Sequence, residues 1–315
     1  MRAADALDGL GPFLKRAAYV NVLVVAQKPR AADSVVQRLG LHEDVAEDFR
    51  AVALASTSRG DDLVLRAYAP GYKPDANELL YLDLQAETEV SAIVDQVSQV
   101  SDAEQFAEDE EIVSHLRFYA IVVGASAGRQ AVLFRTYSPK KELSRRPGLA
   151  LMLQRGSYNK LLRKVFLFDE EVDCFAWNGM MFVRNVASFQ SIFAYFERLR
   201  ARAAETVRAV LARVPISNAD AFEAACTKHL PMMAKIAQIA GKPYLSRIAM
   251  RDIRRAIAEF GLDIRIVRED GGEKLLFEAE PRKRWLILKL LDDDYLGSVL
   301  TEERYEVNSK VAIAR

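Results

Sequence analysis

The sequence predicts an α+β protein, with an N-terminal mixed α/β sheet domain followed by a mainly helical C-terminal domain carrying a β-hairpin. Three observations predict it. Short β-rich runs alternate with helical patterns through the first half of the chain. Asn178-Gly179 sits between two apolar runs, a strong short-range hairpin signal. Beyond about Ala187, apolar residues recur at three- and four-residue steps, the spacing of one helix face. That change of pattern sets the expected domains at 1–186 and 187–315, with no internal repeat and no low-complexity linker between them.

Along the first half, Tyr19 to Val25 reads as a strand and Asp44 to Ala55 as a helix. Leu63 to Leu65 and Leu79 to Leu82 read as short strands around a Pro70 to Pro74 loop. Phe118 to Val123 and Ala131 to Tyr137 form an expected hairpin across Gly124 to Gly128. Lys164 to Phe168 is a further β-rich run. Cys174 to Trp177 and Met181 to Val183 flank the Asn178-Gly179 turn. In the second half, the stripe Ile192, Phe196, Leu199, Ala203, Val207, Val210 and Val214 predicts one long helix that Pro215 stops. Helices are expected over Ala219 to Ala225, Pro231 to Ala240 and Arg247 to Phe260. Ile264 to Arg268 and Leu275 to Phe277 flank Asp270-Gly271-Gly272 as another hairpin, and Pro281 opens a helix running to Leu291. Tyr305 to Lys310 adds a strand.

At 315 residues and half apolar, the chain is long enough for a substantial core. Basic and acidic residues balance at 44 each, so net charge alone argues for no partner. Cys174 and Cys226 are too few for a disulfide framework. No signal-peptide pattern opens the chain, and Val20 to Ala26 is too short to span a bilayer, so a cytoplasmic protein is expected. Any membrane attachment then belongs to a partner.

Charge is segregated. Between Pro139 and Lys164, eight basic residues stand against Glu142 alone, a local balance of +7. They are Lys140, Lys141, Arg145, Arg146, Arg155, Lys160, Arg163 and Lys164. Asp83 to Glu111 carries only acidic charges. Such a basic cluster suits phosphate binding with strong salt dependence, whereas a solvated face or a subunit contact is the plainer account. A second basic region follows the order helix, turn, helix, wing from Pro231 to the Asp270 hairpin. Met250, Ile253, Ile257 and Phe260 are expected inward, leaving Arg251, Arg254 and Arg255 outward. An ordinary helical subdomain, its arginines paired with Asp252 and Glu259, is the competing account. Arg282, Lys283 and Arg284, with Lys289, form a third basic cluster.

The sequence argues against several chemistries. His42, His115 and His229 have no zinc spacing with cysteine, no phosphate loop is present, and no cofactor is expected. Gly124-Ala-Ser-Ala-Gly128 has the letters of a nucleophile elbow around Ser126, but a strand follows it where an elbow needs a helix. Asp169, Glu170, Glu171 and Asp173, and the triplet Asp292, Asp293 and Asp294, are the carboxylates a metal-dependent nuclease would need. No Glu-x-Lys tripeptide accompanies them. The triplet follows a helix end, where the dipole disfavours negative charge, so either Lys289, Arg304 or Lys310 offsets it or one aspartate caps a following short helix.

Two blocks carry a resemblance. Phe166-Leu-Phe168-Asp169, Val172-Asp173-Cys174, Met181-Phe-Val-Arg-Asn185 and Phe189-Gln-Ser-Ile-Phe193 make the first. Leu290-Leu-Asp-Asp-Asp-Tyr295-Leu-Gly-Ser298, Leu300-Thr301 and Tyr305-Glu-Val-Asn-Ser-Lys310 make the second. Together they resemble the B component of the Kiwa anti-phage defence system, best over Lys164 to Lys310. The resemblance implies a non-enzymatic, DNA-binding defence effector that forms a homo-oligomer (dimer or tetramer). It also implies recruitment to the inner membrane by a membrane-spanning Kiwa A component, and a block on phage DNA replication or expression. The alternatives are a metal-dependent nuclease in the same defence role and a homo-oligomeric interaction scaffold. The resemblance supplies no DNA-contacting motif, so the candidate DNA residues rest on charge alone.

Overall fold

The computed structural model describes residues 3–27, 34–60, 62–69, 72–99, 103–106, 114–125, 128–137, 151–154, 157–160, 168–298, 301 and 303–307. The fold is α+β, and the chain divides into two compact units. Unit 1 comprises residues 1–68 and 74–193, and unit 2 comprises 69–73 and 194–315. No helix among the described residues is long and apolar enough to cross a membrane.

Unit 1 opens with α1 (Ala3–Asp8) and α2 (Leu10–Arg16), then β1 (Tyr19–Ala26), β2 (Val35–Arg38) and α3 (Glu43–Thr57). β3 (Val64–Ala67), β4 (Glu78–Asp83), α4 (Thr88–Ser98) and β5 (Glu104–Gln105) follow. β6 (Leu116–Gly124) and β7 (Gln130–Thr136) form the hairpin expected across Gly124 to Gly128, so the Gly-x-Ser-x-Gly letters sit between two paired strands rather than before a helix. The short pair β8 (Leu151–Gln154) and β9 (Ser157–Lys160) makes its own small sheet. β10 (Cys174–Trp177), β11 (Met180–Val183) and α5 (Val186–Ile192) complete the unit.

Nine strands form one sheet in the order β3-β4-β11-β10-β7-β6-β1-β2-β5, antiparallel except at its two edge pairs. Its central strands are buried on both faces, which explains their continuous apolar runs. On one face Val24, Ile121, Leu133, Phe175 and Phe182 pack beneath α1, α2 and α3. Trp177 donates its Nε1–H to the Ala6 carbonyl at 2.8 Å, and its ring meets Phe13 at 4.4 Å. Arg50 of α3 caps the end of α2 through the Leu14 and Ala17 carbonyls at 3.1 and 2.7 Å. The other face is covered by Val90, Val94 and Val97 of α4, and by Phe189 and Ile192 of α5. Cys174 is fully buried there, and burial pushes its thiol well above the ordinary range, with Asp173 adding to the effect.

The Asn178-Gly179 turn takes φ of 49° and 76°, the left-handed pair that a two-residue hairpin between twisted strands requires. Lys164 to Phe168 lies outside the described residues except for Phe168.

Unit 2 holds α6 (Tyr195–Leu211), β12 (Ile216–Ser217), α7 (Ala219–Lys228), α8 (Leu230–Ala240), a 3-10 turn (Pro243–Ser246) and α9 (Met250–Phe260). β13 (Ile266–Glu269), β14 (Gly272–Leu276), α10 (Leu286–Leu291), β15 (Tyr295–Gly297) and β16 (Arg304–Glu306) follow. The expected continuous helix from Ile192 to Val214 is corrected. Ala194 takes φ 49°, and this left-handed residue separates α5 from α6. Periodicity carries across the break because Phe193 turns inward, with its ring 5.2 Å from Phe134. The Pro281 helix is also shorter than expected. Lys283 and Arg284 both donate backbone N–H groups to the Glu280 carbonyl, a turn that delays α10 to Leu286. Of the expected strand Tyr305 to Lys310, Tyr305 and Glu306 fall in β16, which pairs with β15 over three residues; Val307 lies past its end and residues 308–310 lie outside the described residues. The unit's core joins Val207, Val210, Phe222, Met232, Ile236, Ile253, Leu275, Phe277, Leu288 and Leu291 with Cys226, whose thiol burial pushes up to about 12.

Gly124 faces Tyr19 across the β1–β6 pair, and a Cβ there would sit 2.1 Å from the Tyr19 ring. Gly124→Ala is therefore expected to destabilise unit 1 by about 1–3 kcal/mol in urea unfolding. In the Tyr19→Ala background the same change is expected to be close to neutral, and equal costs in both backgrounds would show that the ring is not the obstacle.

Candidate nucleic-acid interface

In unit 2, α8 leads through the 3-10 turn into α9, and the β13–β14 hairpin follows. Pro231 suits the first turn of α8, and the Asp270-Gly271 turn takes φ of 53° and 78°. β12 joins the hairpin by pairing parallel to β14. The stretch reads helix, turn, helix, hairpin, but α9 starts at Met250, because the chain at Arg247 is still completing the 3-10 turn through its N–H to Tyr244.

The inward face of α9 is as its spacing predicts. Ile253 is buried, and Met250, Ile257 and Phe260 pack against the core. Arg251, Arg254 and Arg255 point outward. Arg251 and Arg255 approach Asp252 at 3.7 and 3.6 Å, and Arg254 approaches Glu273 of β14 at 3.4 Å. Exposed pairs of this length contribute about 0–1 kcal/mol and are screened by salt. They hold the guanidinium groups in place without consuming them. Arg254 therefore links the helix to the hairpin, where Arg268 stands directly opposite Glu273 in register.

Arg247 and Arg268 are exposed, and neither forms an ion pair with a described residue. Charge counting passed them over because each stands alone in sequence. The folded order of turn, helix and hairpin is the signal that picks them out.

The third basic cluster divides. Arg282 is exposed, whereas Arg284 is half-buried. Lys283 reaches Asp263 at 3.2 Å and Glu278 at 3.3 Å. Its hydrogen bonds to Asp263 and Glu278 hold its ammonium above the ordinary lysine range. Arg265 also binds Glu278, at 2.8 Å, and its hydrogen bond holds that carboxyl low. Of the first cluster, Lys140, Lys141, Arg145, Arg146, Arg155, Arg163 and Lys164 lie outside the described residues. Lys160 ends β9, and its side chain lies outside them too.

Comparison with known proteins adds one match. Residues 115–301, more than half of the chain, fit the family described as Kiwa protein KwaB-like. The chain belongs to that family. It is thus a component of the Kiwa anti-phage defence system. No curated protein and no solved structure matches the chain. The matched region begins upstream of the blocks that carry the resemblance and ends before Tyr305.

Four acidic residues of the resembling blocks, Asp169, Asp173, Asp292 and Asp294, are internal cross-links. In unit 1, fully buried Asp173 accepts hydrogen bonds from Arg135 Nη1 at 2.8 Å, Thr136 N at 2.8 Å and Thr136 Oγ1 at 2.9 Å. Arg135 Nε reaches Asp169 at 2.9 Å. In unit 2, Asp292 and Asp294 are buried beside Lys235, which pairs with Asp292 and, at 2.6 Å, with Asp294. Lys242 adds a contact to Asp292 at 3.3 Å. Among the described residues these lysines, rather than the expected Lys289 or Arg304, neutralise the pair, and Lys310 lies outside the described residues. Lys289 instead pairs with Glu306 at 2.5 Å and ties α10 to β16. Asp293 is exposed with φ 62°, so the triplet forms the turn between α10 and β15 rather than a cluster of three ligands. Among the described residues no group of three acidic, histidine or cysteine side chains is arranged to hold a metal ion.

Desolvation pulls the Lys235 ammonium down, but hydrogen bonds to Asp292 and Asp294 outweigh it and leave the pKa above the ordinary 10.5. Lys235→Met removes the cation that two buried carboxylates share and is expected to cost unit 2 about 3–5 kcal/mol in urea unfolding. Because the folded pKa is raised, the pair's contribution is complete below the ordinary lysine value and lost as pH rises through the folded one. The wild type is therefore expected to lose stability on the alkaline side, and Lys235→Met to lack that loss.

Proposed function

We propose that this KwaB-like protein is a non-enzymatic DNA-binding effector of Kiwa defence. In this reading it works as a homo-oligomer with a membrane-spanning Kiwa A component and blocks phage DNA replication or expression. The observation that carries the DNA part is α9. Its apolar face is buried, its outward face presents Arg251, Arg254 and Arg255, and a hairpin bearing Arg268 is linked to it through Glu273. A helix of this kind suits a major groove, and a hairpin beside it suits the flanking backbone. The weak carboxylate partners of the arginines are replaced by phosphates on binding, which releases counterions and makes affinity fall steeply with salt. The Lys140 to Lys164 segment, +7 in sequence, adds a second phosphate-binding stretch.

The non-enzymatic part is supported by the engagement of Asp173, Asp292 and Asp294 with internal cations. A nuclease would need them turned toward a metal and a phosphodiester. Plasmid incubated with pure protein and magnesium or manganese is expected to stay intact, and nicking that the Asp173→Asn variant abolishes would reverse this part.

Replacing Arg251, Arg254 and Arg255 together by alanine is expected to weaken gel-shift binding and to lower the log–log salt slope by about 1 for each phosphate no longer neutralised. Charge reversal at Arg145, Arg146, Lys160, Arg163 and Lys164 is expected to act in the same direction. Unchanged affinity and slope in folded variants of both sets would remove DNA from the account.

A further inference from the structure

Unit 1 contains a cavity of about 300 Å³ between the C-terminal end of α3 and the approach to β4. That volume is at the lower end of the roughly 300–1,000 Å³ typical of small-molecule sites. Its apolar lining includes buried Phe175 and Leu79, and its polar lining includes Ser56, Asp75, Glu78 and Arg184.

Three of those polar groups have capacity to spare. Ser56 is only 6% exposed, yet its Oγ has no hydrogen-bond partner among the described residues. A buried hydroxyl without a partner is costly, and a ligand atom in the cavity would satisfy it. Asp75 makes no side-chain ion pair with a described residue, and only its backbone is engaged, through Glu78. Arg184 gives one Nη1–H to the Ser56 carbonyl and has no carboxylate partner among the described residues. Arg184 is exposed, and its main chain is anchored by its backbone N–H, which donates to the Asp173 carbonyl at 2.9 Å. Glu78, by contrast, is satisfied by Arg66 and by the Asp75 N–H at 3.0 Å.

We infer that this cavity binds a small zwitterion, an α-amino acid or a molecule with the same two end groups. Arg184 presents the remaining fork of its guanidinium to a carboxylate. Asp75, the unpartnered Ser56 hydroxyl and the negative carbonyl end of α3 receive an ammonium group. Phe175 and Leu79 form an apolar wall for the side chain. A bare phosphate would meet the Asp75 and Glu78 carboxylates, and a simple cation would meet Arg184. A ligand carrying both charges suits the whole lining. This site does not depend on the DNA reading, because it uses none of the arginines of α9.

The test is thermal unfolding of the full chain at neutral pH with each proteinogenic L-amino acid singly at millimolar concentration. At least one is expected to raise the Tm by about 3 °C or more. Its carboxamide, which lacks the carboxylate, and its N-acetyl derivative, which lacks the ammonium, are expected to give no shift. Arg184→Gln and Asp75→Asn are each expected to abolish the shift while leaving the DNA gel shift unchanged. Asp75 is exposed, so its variant keeps the test valid should Arg184→Gln unfold. No shift with any amino acid overturns the inference, as does a shift that survives in Asp75→Asn or persists with the amide or the acetylated derivative.

Discussion

A carboxylate removed from water has to be neutralised where it sits, and each unit is organised around that requirement. In unit 1, Asp173 begins the approach to β10 with both oxygens taken by Arg135 and Thr136 of β7. Its backbone carbonyl accepts the N–H groups of Arg184 and Asn185 beyond β11. One residue thus ties together three neighbouring strands and the start of α5. Asn185 then caps α5 by accepting from the Ser188 N–H at 3.1 Å. In unit 2, Lys235 of α8 holds Asp292 and Asp294 on either side of the turn after α10. Such pairs add little over a well-packed apolar core, but losing one partner is severe, so each fixes a unique arrangement. The acidic letters of the family blocks serve this architecture.

Where a local rule and the tertiary environment agreed, the sequence was legible. Asn178-Gly179 and Asp270-Gly271 specify hairpins through backbone conformation alone, and both are present. The inward set of α9 follows from spacing because a surface helix has one apolar stripe. The strands β6, β7, β10 and β11 were visible as apolar runs of the right length. What was not legible required distant contacts. The break at Ala194 leaves no trace in periodicity, since Phe193 remains buried on the α5 side. The α4 helix is a different case, a local signal passed over, because Val90, Val94 and Val97 carry the helical spacing in a stretch read only for its acidic charge. The described lysine partners of Asp292 and Asp294 lie fifty or more residues earlier in the chain, beyond the reach of any nearest-charge argument.

The candidate DNA face was legible as a list of charges but not as a surface. Sequence placed Arg282, Lys283 and Arg284 on equal terms. In the fold, Lys283 is drawn to Asp263 and Glu278 while Arg282 remains exposed. Conversely, Arg247 and Arg268 join the arginines of α9 only once the turn and hairpin bring them to the same region. Clustering in sequence and clustering in space coincide along a single helix and diverge where the chain turns back.

The two cysteines give the chain a property unrelated to catalysis. Cys174 lies in the core of unit 1 and Cys226 in that of unit 2, and these are the only thiols in the chain. Both are fully buried, and burial holds each in its unreactive protonated form. A thiol reagent can therefore modify either one only when the unit around it opens. Each unit carries its own clock, and the labelling rate at one cysteine reports the opening of that unit separately from its neighbour.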